Sequence, residues 1–243
     1  MNYTVIFAGG IGSRMGSSIP KQFLEVAGKP IIIHTIEKFA EHPEIDGIVV
    51  VSKEEYIDYC RDLISKYNIG KIFDVIAGGE TGQQTIFHGL DYLYNNVSHD
   101  PKKDIVLIHD GVRPLINGKL ITESIKCTKK NGNSIAAAKA IETVIRVNDE
   151  GKMKETVDRE KCRNAKAPQC FFLEDIINCH HRAIADGREN MIDSATLMSV
   201  YGYTLYTTEC GQENIKITTP IDYYMFKGMY ENSEDTMFEN LNK

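Results

Sequence analysis

Short apolar runs recur along this chain, separated by longer stretches in which apolar residues return every three or four positions. Thr4–Ala8, Gly47–Ser52, Lys71–Ile76, Asp104–Ile108, Ser134–Ala138 and Thr204–Thr208 have the length and residue types of buried strands. Between the first two, Pro30–Glu41 sets Ile32, Ile33, Ile36 and Phe39 on one helical face. Glu54–Tyr67 repeats that pattern, and Gln83–Asn95 does so again with Ile86, Leu90 and Leu93 inward. Strand and helix periods in alternation predict an α/β fold, a mainly parallel twisted sheet flanked by crossover helices.

The rhythm breaks between about Ile141 and Gln169. Charged residues, Gly151 and two short β-prone pieces, Thr143–Val147 and Lys154–Val157, read there as a protruding β-hairpin arm. Leu173–Ile184 and Ser194–Tyr201 return to helical period, and Pro220 opens a last helix through Tyr230 with Asp222 in its first turn. The acidic tail after Tyr230 is expected to fray. Without a repeat or a linker, residues 1–243 read as one domain carrying the arm.

Charge narrows the partners. A formal net charge of −6 argues against a nucleic-acid partner, whose phosphate backbone demands a basic face. The chain enters its first strand at Tyr3 without a leader, and no run approaches the ~20 apolar residues of a membrane span. The 6 cysteines form no C-x-x-C pair and have no companion histidines at zinc-ligand spacing, which fits reduced thiols in a cytoplasmic protein.

Candidate chemistry begins where the first strand ends, in Ala8-Gly9-Gly10-Ile11-Gly12-Ser13-Arg14-Met15-Gly16, followed by Pro20-Lys21-Gln22. Glycines after a first strand let backbone N–H groups approach a phosphate, and Arg14 and Lys21 add cations suited to a triphosphate. Met15 breaks the dinucleotide fingerprint, which disfavours a nicotinamide oxidoreductase, and no Gly-Lys-Ser or Gly-Lys-Thr closes an ATP-type loop. Gly78-Gly79 with Thr85 forms a second glycine-bearing loop. His109-Asp110-Gly111-Val112-Arg113-Pro114 follows a strand and so falls where open α/β sheets bind ligands. Read from residue type alone, Asp110 is either a magnesium ligand or a turn residue paired with Arg113, and Asp193 is left open between a helix N-cap and a role in the site.

Together these stretches, with Ala167-Pro168-Gln169 and Asn214-Ile215-Lys216-Ile217-Thr218, resemble the nucleotidyltransferases that act on sugar and polyol phosphates. Within them the chain is most similar to the enzymes that make CDP-methylerythritol and CDP-ribitol. Gly82 stands where that family usually has arginine. The resemblance implies a Rossmann-like nucleotide-diphospho-sugar transferase fold and transfer of CMP from CTP to a polyol phosphate, with Mg²⁺ at Asp110. It implies catalytic roles for Arg14, Lys21 and Lys216, and nucleotide contacts from Ala8, Gly9, Gly10, Gly12, Ser13, Gly79 and Thr85. Acceptor contacts fall to Arg113, Thr143 and Arg159, the last two reaching from a neighbouring subunit through the 141–169 arm of a homodimer. Ala8–Gly16 and Pro30–Phe39 look closer to the enzymes that take D-ribitol 5-phosphate, whereas Thr156-Val157-Asp158-Arg159 looks closer to those that take 2-C-methyl-D-erythritol 4-phosphate. A noncatalytic nucleotide-binding module is the alternative from another class.

Overall fold

A central strand, β1 (Asn2–Phe7), sits between β4 (Gly47–Ser52) and β6 (Ile105–Asp110), parallel to both. The computed structural model describes residues 1–10, 15–16 and 19–231. The main sheet adds β5 (Ile72–Ala77), β7 (Asn133–Lys139), β10 (Arg163–Phe172) and β11 (Thr207–Glu209), in the order β11-β7-β10-β6-β1-β4-β5. Only β10 runs antiparallel to its neighbours, β6 and β7. Two small antiparallel pairs stand apart from this sheet: β2 (Glu25–Val26) with β3 (Lys29–Pro30), and β8 (Val144–Val147) with β9 (Met153–Val157).

Alternate side chains of the strands enter two cores, as a sheet covered on both faces requires. Ile6, Ile48, Val50 and Leu107 join one cluster with α1 (Ile31–Ala40), α2 (Ile57–Lys66) and α4 (Gly118–Asn131). Val5, Val49, Val51 and Val106 join the other with α3 (Gly82–Asn96), α5 (Leu173–Ala185) and α6 (Ser194–Val200). The inward faces read from the sequence hold: Ile32, Ile33, Ile36 and Phe39 are buried in the first core, and Ile86, Leu90 and Leu93 in the second. A third, smaller cluster seats α7 (Pro220–Glu231) through Phe226 against Val26, Ile31, Val112 and Ile217.

Three features depart from the sequence reading. Residues 163–172 are not part of an arm but a strand at the heart of the sheet, so the hairpin shrinks to β8 and β9. Polar Arg163, Asn164 and Lys166 disguise it: its first half runs along an exposed margin, and only 167–171 are fully buried. The apolar pattern marks no element between β6 and β7, yet α4 lies there. Its ends carry recognisable signals: Asn117 accepts a bond from the Leu120 N–H, and Gly132 closes the helix at φ 92°. The last strand is Thr207–Glu209, shorter and later than Thr204–Thr208. The acidic tail after residue 231 lies outside the described residues.

Candidate active site

The chain runs β1, β4, β5 outward on one side of β1 and then returns to β6 on the other, so the order reverses between β1 and β6. Open α/β sheets bind ligands at such a reversal, beyond the carboxyl ends of the strands. Phe7 and Asp110 are register partners at that edge. Backbone bonds extend the ladders into the loops beyond: Ala8 N–H donates to Val51 O at 2.7 Å, Gly78 N–H to Ser52 O at 2.7 Å, and Gly111 N–H to Phe7 O at 3.0 Å. The loops after β1, β5 and β6 are thereby fixed side by side.

Asp110 is the centre of charge. Its carboxylate lies 2.5 Å from Lys216 Nζ on one oxygen and 3.3 Å from Arg113 Nε on the other, with only 5% of the residue exposed. Burial pushes the carboxyl pKa up, but the Lys216 ammonium and the Arg113 guanidinium outweigh it and hold the group below the ordinary carboxylate range. Lys216 comes from an irregular segment between the last strand and the last helix. Arg113 holds that segment by donating to Asn214 O at 2.6 Å, Asn214 donates to Ala167 O at 2.8 Å, and Ile217 N–H donates to Val112 O at 2.9 Å. His109 braces the same turn from below. It is buried, its Nε2 lies 3.1 Å from Arg113 O, and burial pulls its pKa down to about 4, so the neutral ring donates to that carbonyl.

Two cavities open on either side of this cluster. The larger, about 520 Å³, is bounded by Ala8, Gly9, Gly10, Lys21, Gly79 and Thr85, all nominated by the sequence, and also by Lys53 and Thr218. The glycines permit a tight junction here: a Cβ on Gly78 would come 2.9 Å from Thr85, and one on Gly79 would come 2.4 Å from Gln84 Cβ. The Thr85 hydroxyl donates to Thr81 O at 2.9 Å, turned onto its own helix. Thr81 caps α3 reciprocally with Gln84. Lys21 is 8% exposed, and the neighbouring Gln22 side chain donates to Ala8 O at 3.0 Å, which locks the two loops together.

The second cavity, about 330 Å³, is lined by Arg113, Lys166, Gln169, His180, Ile192 and Asp193, among others. Phe7, Gly82, Asp110 and Lys216 belong to both cavities, so the two meet at the charged cluster. At Gly82 a Cβ would meet nothing within 4 Å, so the junction is open there. Asp193 is an N-cap: its carboxylate accepts from Thr196 N–H at 2.8 Å and from the Gln169 amide at 2.9 Å.

The sequence missed Lys53, Lys166 and His180. Lys53 follows β4 directly, so its place at a strand's carboxyl end was the available signal; a histidine inside a helix offers none. Gly12, Ser13 and Arg14 lie outside the described residues. Thr143 and Arg159 line neither cavity of this chain. Arg159 is exposed at the foot of the hairpin and donates to Ile141 O at 3.1 Å. Among the described residues no three His, Cys, Asp or Glu side chains gather as a metal site, and all 6 cysteines are free thiols. A single ionised carboxylate still fits Mg²⁺, which is usually held by one or two carboxylates plus substrate phosphates.

The profile of the 2-C-methyl-D-erythritol 4-phosphate cytidylyltransferase (IspD) family matches residues 3–229. The chain is 49% identical to a ribitol-5-phosphate cytidylyltransferase of Streptococcus agalactiae serotype III, over 97% of this chain and 98% of that one. It is 36% identical to a 2-C-methyl-D-erythritol 4-phosphate cytidylyltransferase of Clostridium novyi, over 95% of this chain and 97% of that one. In three dimensions it matches the crystal structure of the 4-diphosphocytidyl-2C-methyl-D-erythritol synthase of Anaerococcus prevotii with a TM-score of 0.81 at 27% identity, covering 95% of this chain and 96% of that one.

Proposed function

Since the chain belongs to the 2-C-methyl-D-erythritol 4-phosphate cytidylyltransferase family of nucleotidyltransferases, we propose that it transfers the cytidylyl group of CTP to D-ribitol 5-phosphate, releasing pyrophosphate. The observation that carries the reading is the junction of two ligand-sized cavities at one charged cluster, Asp110 and Lys216. The glycine-walled cavity takes CTP, and the other takes the polyol phosphate. Ribitol phosphate is preferred because the relative named for it is 49% identical, against 36% for the one named for the methylerythritol phosphate.

A phosphate oxygen of the acceptor attacks the α-phosphorus in line; a P–O bond forms to the acceptor, and the bond to the β-phosphate oxygen breaks. The attacking phosphate is already ionised at neutral pH, so no protein nucleophile is required. Catalysis reduces to positioning two anions and stabilising the charge that builds on phosphorus. Lys21 approaches the α-phosphate from the glycine-turn side. Lys216 approaches from the other, exchanging its Asp110 partner for a phosphate oxygen. Arg14 holds the leaving pyrophosphate. Mg²⁺, held by Asp110 and the triphosphate, would neutralise charge and orient the phosphates.

The hairpin supports a homodimer. Ile141, Ile145, Val147 and Met153 expose apolar surface along it, and Thr143 and Arg159 have no cavity of their own to serve. They are read as acceptor contacts in a partner subunit's site. No helix among the described residues is long and apolar enough to cross a membrane. The CTP requirement and the free thiols support a cytoplasmic location.

The test is pyrophosphate release with CTP and Mg²⁺, with ribitol 5-phosphate and methylerythritol 4-phosphate offered separately. Turnover should favour ribitol 5-phosphate, and Lys21→Ala should lower it about 10²- to 10³-fold, as loss of one preorganised donor does. Preference for the methylerythritol phosphate would reverse the acceptor assignment, and silence with both would remove the reaction.

A further inference from the structure

One buried imidazole has no part in the cluster around Asp110. His180 lies in the C-terminal half of α5, is 1% exposed, and forms part of the wall of the acceptor-side cavity. Neither Nδ1 nor Nε2 has a hydrogen-bond partner. Its ring packs beside Phe87, with centroids 5.7 Å apart.

Two other polar side chains of that wall, Gln83 and Gln169, are committed. The Gln83 amide donates to Arg188 O at 3.0 Å and accepts from Met191 N–H at 2.7 Å. Gln169 donates to Asp193 at 2.9 Å and accepts from Ala195 N–H at 2.8 Å. The apolar surfaces of Ile86, Ile108 and Leu197 complete this side. The cavity lining therefore holds both the half-exposed Lys216, at 42% side-chain exposure, and the buried His180, a polar group without a partner.

Buried polar groups are paired as a rule, and one left unpaired on a cavity wall marks where a ligand atom belongs. Burial pulls the His180 pKa down to about 4, with His181 adding to the effect, so at neutral pH the ring offers one N–H donor and one bare nitrogen. Hydroxyls, which donate and accept, match both edges; a carboxylate or a phosphate matches only one.

We propose that His180 is a specificity-determining residue that hydrogen-bonds hydroxyls of the acceptor's polyol chain at the buried end of the cavity, while the acceptor phosphate lies at the Asp110–Lys216 end. The inference rests on the cytidylyl-transfer reading and adds the group that recognises the hydroxylated tail. A site built to pair a hydroxyl discriminates strongly against analogues that lack it.

His180→Phe tests this, because phenylalanine keeps an aromatic ring against Phe87 and removes both unpaired nitrogens. The variant should melt at or above the wild-type temperature, since a buried unpaired polar group has been replaced by an apolar one of similar shape. Its kcat/KM for the polyol phosphate should fall about 10-fold through KM, with the KM for CTP unchanged. His180→Gln, which keeps a donor and an acceptor, should recover part of the loss, and His180→Leu serves if the phenylalanine does not fit. An unchanged acceptor KM in the apolar variants overturns the proposal, as does an equal rise in the KM for CTP. A wild type that is silent with every polyol phosphate removes the cytidylyl-transfer reading, and this inference with it.

Discussion

Asp110 shows how two flanking cations keep a buried carboxylate charged. Its two cations come from different parts of the chain: Arg113 is three positions along the same turn, and Lys216 comes from beyond the next five strands and three α-helices. A carboxylate this buried would ordinarily be pushed toward its neutral form; the flanking charges reverse the sign. Because its folded pKa is depressed, the contribution to stability is complete above the ordinary carboxyl value of about 4 and is lost as pH falls through the lower folded value. Asp110→Asn should therefore reduce stability by about 3 kcal/mol at neutral pH, leaving two cations unneutralised. Measured by urea denaturation across pH, its gap from wild type should stay level from pH 8 to about 5 and close only in stronger acid. A gap that changed steadily across neutrality would show that another group sets it.

At the level of elements, the site is made by close approach. Helix α3 lies near enough to the sheet that a Cβ at Gly89 would come 2.6 Å from Val5 Cγ1 and 2.8 Å from Val51 Cγ2. Both neighbours are β-branched and have little rotamer freedom to yield. Gly89→Ala should thus destabilise by ~1–3 kcal/mol, although alanine alone would favour the helix by about 1 kcal/mol. A lower urea midpoint is the expected reading; a midpoint at or above wild type would mean that α3 can lift off the sheet freely. The helices around Gly89 were legible because each presents an unbroken apolar face. Strand β10 and helix α4 were not: the strand opens with Arg163-Asn164 before turning apolar, and α4 buries Ser124 and Thr128 among its inward positions, which thins its apolar stripe.

For the whole molecule, acid sensitivity follows from where its histidines lie. His109 and His180 are each buried and each pulled down to about 4 by desolvation, while His34 shifts in the same direction. The unfolded chain binds these protons near pH 6.5 and the folded one does not, so stability is complete above that value and falls as pH drops toward 4. Each of the two fully buried rings contributes on the order of 3 kcal/mol to that loss. Denaturation series between pH 7 and 4 should show it, and His180→Phe should flatten the slope by roughly half. A pH-independent stability across that window would mean that both rings reach solvent when charged.

The sequence by itself determined the alternation of strands and helices, the inward faces of most helices, and the loops after β1, β5 and β6 that wall the larger cavity. These are local properties, carried by the period of apolar residues and by glycines at strand ends. Only the tertiary structure decided the rest: that β10 enters the sheet antiparallel between β6 and β7, that Lys216 meets Asp110, that Thr143 and Arg159 stand away from this chain's own cavities, and that His180 lies in a cavity wall with both ring nitrogens unpartnered. Such pairings join residues far apart in the chain. Their free energy exists only once the sheet order has brought them together, so no local pattern records them.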